Sequence, residues 1–185
     1  MDAVLSLARL TLTNPRAAAR ALLNSSFPRE LHWTLFLIVM CLGGAVFAAA
    51  GLVAPHEDRP AISGLTAAAL VGASVLFSVT VMLLGGRLFG SRAEPADAML
   101  LVLWLELLFV GVQAALLLIE LVLPGIRTVV GLIYLVLTLW LASAFTAELH
   151  GLDGILQGLF ATIAATLAIL FLLALVRAIL IALIG

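Results

Sequence analysis

The sequence is poor in charged residues and has a single cysteine. Only 10% of its 185 residues are charged and 65% are hydrophobic, a balance that excludes both an ordinary water-soluble domain and a disordered chain. The one cysteine, Cys41, excludes an intrachain disulfide framework and a zinc site built from several cysteines. The net charge of −1 provides no field that would attract nucleic acid, so no nucleic-acid partner is expected.

Sequence patterns for catalysis or cofactor binding are also missing. Ser25, Ser26 and Ser91 have no evident histidine and acid partners, and no glycine-rich phosphate loop is present. His56–Glu57–Asp58 and Glu148-x-His150-x-x-Asp153 contain metal-ligand residue types without the two-histidine spacing of a zinc protease. We interpret both clusters as polar loop residues that are exposed to solvent. We expect neither enzymatic activity nor a cofactor nor a bound metal.

Long apolar runs dominate what is present. Each is about 20 residues or longer, enough for a helix to cross the hydrocarbon core, and backbone pairing in lipid requires that it be helical. The runs are Trp33–Ala54, Gly64–Gly86, Ala98–Leu123, Ile126–Ala147 and Ile155–Ile184. The sequence predicts an all-α polytopic membrane protein, with residues 1–31 as an interfacial segment and residues 32–185 as a five-span bundle. The segment before the first run is too long for the n-region of a cleaved signal peptide, so we expect this run to be a retained span.

The N-terminal segment contains a predicted amphipathic helix. Asn14 followed by Pro15 is typical of an N-cap and a first helical position, and the helix should extend to Leu23. We expect Leu22 and Leu23 to be available to dip into lipid. Two interpretations remain open for the segment. Either the segment lies on the membrane and binds anionic head groups, or it is a lead-in whose charges only fix the topology. The basic residues concerned are Arg9, Arg16, Arg20 and Arg29.

Arginine distribution predicts the orientation of the chain. The four N-terminal arginines and the pair Arg87 and Arg92 would lie on one side of the membrane, against Arg59, Arg127 and Arg177 on the other. Because basic residues accumulate on the cytoplasmic side, six against three favours a cytoplasmic N-terminus and a C-terminus outside.

Small residues recur along the fifth run, where they allow close helix packing. The stripe consists of Gly154, Gly158, Ala161, Ala165 and Ala168. Without a hydrophobic drive between helices in lipid, such a stripe favours packing by dispersion. Packing within the bundle is the preferred interpretation, and contact with a second copy or another membrane protein is the alternative. Gly86 and Gly90 share this spacing, but a turn is at least as good an explanation for them.

The third run carries a row of polar residues at membrane depth. Glu106, Gln113 and Glu120 share one helical face and extend over roughly 21 Å. Because a buried carboxylate is costly in lipid, this face should point into the bundle. The favoured interpretation is interhelical bonding. Glu106 would meet a polar partner from another helix, or would be protonated and donate to a carbonyl, and Glu120 would approach Arg177 or, less favourably, Arg127. A site for a polar ligand or lipid head group and a proton or cation path are the alternatives.

Four short motifs together resemble a known family. They are Asn14–Pro15–Arg16, Gly85–Gly86 through Phe89–Gly90, Ala96–Asp97–Ala98 and Glu148–Leu149–His150–Gly151. In order and spacing they are similar to the bacterial branch of the Yip family, whose eukaryotic members act in vesicle trafficking and bind small GTPases and one another. The resemblance implies a five-span bundle with a cytoplasmic N-terminus in the bacterial inner membrane. The expected function is a non-enzymatic scaffold that binds lipids or other membrane proteins, and the alternative is a small transporter or ion channel using the third span.

Overall fold

The computed structural model describes residues 2–25, 27–53, 62–87, 89–91, 93–123 and 127–184. Throughout this part of the chain the regular structure is α-helical. The helices are α1 (Asp2–Thr13), α2 (Pro15–Leu23), α3 (Arg29–Val53), α4 (Gly64–Arg87), α5 (Pro95–Val122), α6 (Arg127–Leu149) and α7 (Ile155–Ile184).

Five of these helices, α3 to α7, are long and apolar enough to cross a membrane, each over at least 22 residues. The predicted all-α multi-pass fold is therefore confirmed. Helix α5 begins at Pro95 and α6 continues to Leu149, because the polar residues at these ends extend the helices beyond the apolar runs. The predicted boundaries Ala54 and Ile126 lie outside the described residues.

Helix α4 occupies the middle of the bundle and packs against α3, α5, α6 and α7. The buried core is concentrated where α4 and α6 end and where α5 and α7 begin, with Leu101, Leu103, Leu141 and Phe145 fully buried. Helix α2 packs against α5 and α6 at this same end, here called the α2 end. Toward the opposite end, the far end, α7 separates from its neighbours, and every side chain from Phe171 to Ile181 is exposed.

The small-residue stripe of α7 is used within the bundle. Gly158 lies directly against the backbone carbonyl of Ser143 in α6, and Ala161 and Ala165 are buried. A β-carbon at Gly85 of α4 would come within 3.0 Å of the Ala161 carbonyl oxygen. Most of the stripe is therefore inaccessible to a second copy, as the packing interpretation requires, and Ala168 is its exposed member.

The N-terminal helices are fixed to the bundle by a cap and a buried face. The Asn14 side chain accepts a hydrogen bond from the Ala17 amide at 3.2 Å, which confirms the predicted start of α2. Ala18 and Ala19 are completely buried against α5 and α6. Leu22, expected to dip into lipid, is only 4% exposed. That expectation was wrong, because this face of α2 joins the protein core.

Helix α1 packs on α2 and reaches the bundle through one buried hydroxyl. Thr11 is fully buried, and its Oγ1 accepts a hydrogen bond from Trp104 Nε1 of α5 at 2.9 Å. Leu7 and Leu10 also pack against the core. Both N-terminal helices therefore contribute side chains to the same core as the spans.

Candidate functional site

A network of charged side chains joins α2 to the connection between α6 and α7. Glu148, near the end of α6, accepts from Arg16 Nε at 3.1 Å and from Arg20 Nε at 2.7 Å, one arginine on each carboxylate oxygen. Arg16 also donates to the carbonyls of Leu152 at 2.8 Å and Asp153 at 3.1 Å. We call this group of three charged side chains the arginine clamp.

The two arginines of the clamp differ in environment. The Arg16 side chain is 30% exposed, whereas that of Arg20 is 64% exposed. The hydrogen bond to Glu148 raises the pKa of Arg20 above its ordinary value, so the guanidinium keeps its charge. Arg16 is therefore a fixed structural contact, while much of the Arg20 side chain still faces the surroundings.

A buried histidine lies beside the clamp and links three segments. His150 is 8% exposed, with Nε2 at 2.8 Å from the Met82 carbonyl oxygen and Nδ1 at 3.0 Å from Ser91 Oγ. Since a carbonyl oxygen only accepts, Nε2 must carry a proton, and in the neutral imidazole Nδ1 then accepts from the Ser91 hydroxyl. The imidazole thereby holds the last turns of α4 to the residues that follow α6.

Ser91 bonds His150, but the other ring nitrogen of this histidine bonds a backbone carbonyl and not an acid. One expectation about these residues was wrong. Glu148 and His150 are not solvated loop groups, since both are largely buried and bonded within the protein. Asp153 is exposed. Among the described residues, no three histidine, cysteine or acidic side chains are grouped so that they could hold a metal ion.

The glycines around His150 explain part of the local sequence. A β-carbon at Gly86 would overlap the imidazole ring, so the ring occupies the space of the missing side chain. Gly90 and Gly151 have φ values of 78° and 64°, in the left-handed region that favours glycine. The positive φ of Gly90 supports the interpretation that Gly86 and Gly90 belong to a turn.

These contacts bring together motifs that are far apart in the sequence. Arg16 of Asn14–Pro15–Arg16 bonds Glu148, and Gly86 contacts His150. Three of the four motifs quoted above therefore meet at the α2 end. Sequence spacing alone could not predict this meeting, because it depends on α2 packing against α6.

A cavity of about 220 Å³ lies between α4, α5, α6 and α7. Its apolar wall includes Phe77, Val81, Leu105 and Phe109. The polar side chains that line it are Ser78, Glu106, Tyr134, Thr138, Thr146, Thr162 and Thr166. This cavity contains Glu106, the first residue of the predicted polar row.

The three residues of the predicted polar row have different surroundings. Glu106 lines the cavity. Gln113 Nε2 donates to the Tyr134 hydroxyl at 2.6 Å, which joins α5 to α6. Glu120 is half-buried toward the far end, and its pairing with an arginine stays a prediction. Arg177 is exposed on α7, and the side chain of Arg127 lies outside the described part of the chain.

The remaining predicted basic and loop residues are placed as follows. Arg9 is exposed on α1 and Arg87 is exposed at the end of α4, both at the α2 end. The backbone of Arg29 opens α3, but its side chain is outside the described part. The residues Ser26, His56, Glu57, Asp58, Arg59 and Arg92 lie outside the described residues.

Comparison with known proteins identifies a family across most of the chain. The Yip1 domain matches residues 9–176, a range that contains the clamp, the histidine and the cavity. No curated protein and no solved structure gives a significant match. Because the domain covers far more than half of the sequence, the chain belongs to the Yip family.

Proposed function

We propose that this chain is a non-enzymatic inner-membrane protein of a bacterium that binds anionic lipid head groups and neighbouring membrane proteins at its α2 end. The observation that carries the proposal is the arginine clamp, which fixes α2 to the spans, with α1 packed on α2. A fixed basic surface binds with little loss of conformational freedom, in contrast to a mobile tail.

Helix α1 has one face that packs on the bundle and a second face that is exposed. Leu7, Leu10 and Thr11 are directed to the bundle, whereas Leu5, Arg9 and Leu12 are exposed at spacings of four and three residues. Such spacings place the last three on a common face. An exposed face of two leucines and an arginine suits a helix lying in the head-group region of a membrane.

The polar side chains at the α2 end support a binding role over catalysis. Both oxygens of Glu148 and both ring nitrogens of His150 are engaged in bonds within the protein. A general base needs a nitrogen or oxygen that can reach a substrate proton. In this arrangement the residues hold helices together.

The proposal predicts a loss of anionic-lipid preference when Arg9 loses its charge. The full-length protein is purified with an equal mixture of phosphatidylglycerol and phosphatidylethanolamine, and the retained lipids are counted by native mass spectrometry. Because one arginine near an anionic surface contributes about 1 kcal/mol, Arg9→Gln should lower the preference for phosphatidylglycerol about fivefold. Arg20→Gln should have a smaller effect, because Glu148 already pairs with Arg20.

The matched control is Arg9→Lys, which keeps the charge and should retain most of the preference. A wild-type preference in Arg9→Gln would contradict head-group binding by α1. Cation flux into proteoliposomes that Glu106→Gln abolishes would favour the alternative, a small transporter or channel. The cavity around Glu106 is the observation that favours this alternative.

The cytoplasmic placement of the α2 end is tested by labelling. In a Cys41→Ser background, single cysteines are introduced at Ile62, near the far end, and at Glu94, at the α2 end; both positions are exposed. The excess of arginine at the α2 end predicts that an impermeant maleimide labels Ile62→Cys on intact cells and Glu94→Cys only after permeabilisation. The reverse pattern would place the α2 end outside.

A further inference from the structure

The carboxyl group of Glu106 lies in the cavity between α4, α5, α6 and α7, where none of the described residues bonds it. Within the described residues, it forms neither a hydrogen bond nor an ion pair, although it is half-buried at membrane depth. A carboxylate removed from water is costly unless a cation or donors accompany it. The cavity thus holds a carboxyl group to which none of the described residues forms a hydrogen bond or an ion pair.

Three of the six hydroxyl groups that line the cavity act as acceptors toward a ligand. Thr138, Thr162 and Thr166 each donate at 2.8 Å to a backbone carbonyl four residues earlier in their own helix. A hydroxyl that has donated its proton can offer only lone pairs to a ligand. A ligand that matches these acceptors carries several hydrogen-bond donors, a positive charge or both.

Aromatic side chains form another part of the wall. Phe77, Phe109 and Tyr134 line the cavity, and the rings of Phe109 and Tyr134 are 5.6 Å apart at an interplanar angle of 66°. Aromatic faces attract cations, most strongly where water is excluded. The same rings offer apolar surface to an alkyl group, which a bare metal ion does not need.

A metal ion fits this lining less well than an organic cation. Hard cations such as Ca²⁺ take six to eight oxygen ligands, largely carboxylates and carbonyls. The cavity has one carboxyl group, and the described residues contain no cluster of three ligand-type side chains. Its volume of about 220 Å³ corresponds to roughly seven water molecules, room for a small molecule of several heavy atoms.

We propose that the cavity between α4, α5, α6 and α7 is a binding site for a small organic ammonium ion, with Glu106 as its counter-charge, the threonine oxygens as hydrogen-bond acceptors and the aromatic rings around its alkyl portion. Glu106 lies about 16 Å along α5 from Pro95, near the middle of a core of about 30 Å. This depth favours a free amine over a lipid head group. The proposal is independent of head-group binding at the α2 end, because it concerns a different part of the protein.

The test is calorimetric titration of the purified full-length protein in detergent with butylammonium chloride and, separately, with 1-butanol. Butylammonium should bind at least tenfold more tightly than butanol, and Glu106→Gln should remove most of that difference. Glu106→Asp should keep part of the binding. Glu120→Gln is the matched control on the same helix, since Glu120 does not line the cavity, and it should bind as the wild type does. Size-exclusion chromatography and circular dichroism establish that each variant is folded.

Nanodiscs distinguish the two sources of an ammonium group. If the natural occupant is a free amine, butylammonium affinity will be the same in phosphatidylglycerol discs with and without phosphatidylethanolamine. If the lipid head group occupies the cavity, phosphatidylethanolamine will weaken butylammonium binding in the wild type and not in Glu106→Gln, and the ammonium site stands. Equal binding of butanol, unchanged binding by folded Glu106→Gln, or no binding by the folded wild type would overturn the proposal.

Discussion

Replacing Gly158 with alanine is expected to destabilise the protein by about 2–3 kcal/mol, the range of a severe overpacking substitution. The new β-carbon would overlap the backbone carbonyl of Ser143 and lie 3.0 Å from the β-carbon of Ala147. A backbone carbonyl cannot rotate away as a side chain can, so α7 must move from α6. That movement would also lengthen the contact between the hydroxyls of Thr162 and Thr146, now 3.3 Å apart.

The direction of this effect distinguishes packing from helix propensity. Alanine is a better helix former than glycine by about 0.8–1 kcal/mol, so a substitution without a steric conflict should be neutral or stabilising. Gly131→Ala on α6 is the matched control, because nothing lies within 4 Å of its added β-carbon. Unfolding by sodium dodecyl sulfate in mixed micelles, followed by circular dichroism, measures both variants. Equal stability of the two would mean that α6 and α7 do not pack at Gly158.

The spans could be predicted from the sequence because lipid imposes one simple rule. Long, predominantly apolar runs must be helical, and the runs beginning at Gly64 and Ile155 coincide with the starts of α4 and α7. The cap at Asn14 was equally predictable, since Asn followed by Pro is typical of a helix N-terminus. These features depend on neighbours along the chain.

The site was less predictable because its residues meet only through tertiary packing. Glu148 and His150 were interpreted as loop polarity, since nothing near them in sequence indicates that Arg16 and Ser91 would be their partners. The burial of Leu22 was missed for the same reason: α2 is short and amphipathic, and only its contact with α5 and α6 directs that face into protein. The position of Glu106 within a long apolar run is evident from the sequence, but its cavity is formed by four helices and is not.

Gly86→Ala is expected to destabilise the protein about as much as Gly158→Ala. Here the added β-carbon meets a side chain instead of the backbone. The added β-carbon would overlap the imidazole of His150, which is buried and bonded through both ring nitrogens. Displacing the ring would break its bonds to the Met82 carbonyl and to Ser91, each contributing about 0.5–1.5 kcal/mol. With the strain of overpacking, the expected loss is about 3 kcal/mol.

A double-mutant cycle with His150→Ala isolates this contact. His150→Ala alone should destabilise the protein, because it removes both hydrogen bonds and leaves a space. In that background the space accepts the new methyl group, so adding Gly86→Ala should change the unfolding free energy by less than about 0.5 kcal/mol. The coupling between the two positions should therefore exceed about 2 kcal/mol, measured by the same detergent titration, with Gly111→Ala as the control in open space. Additive effects of the two substitutions would show that the imidazole does not occupy the position left by Gly86, and that α4 is held to the end of α6 by other contacts.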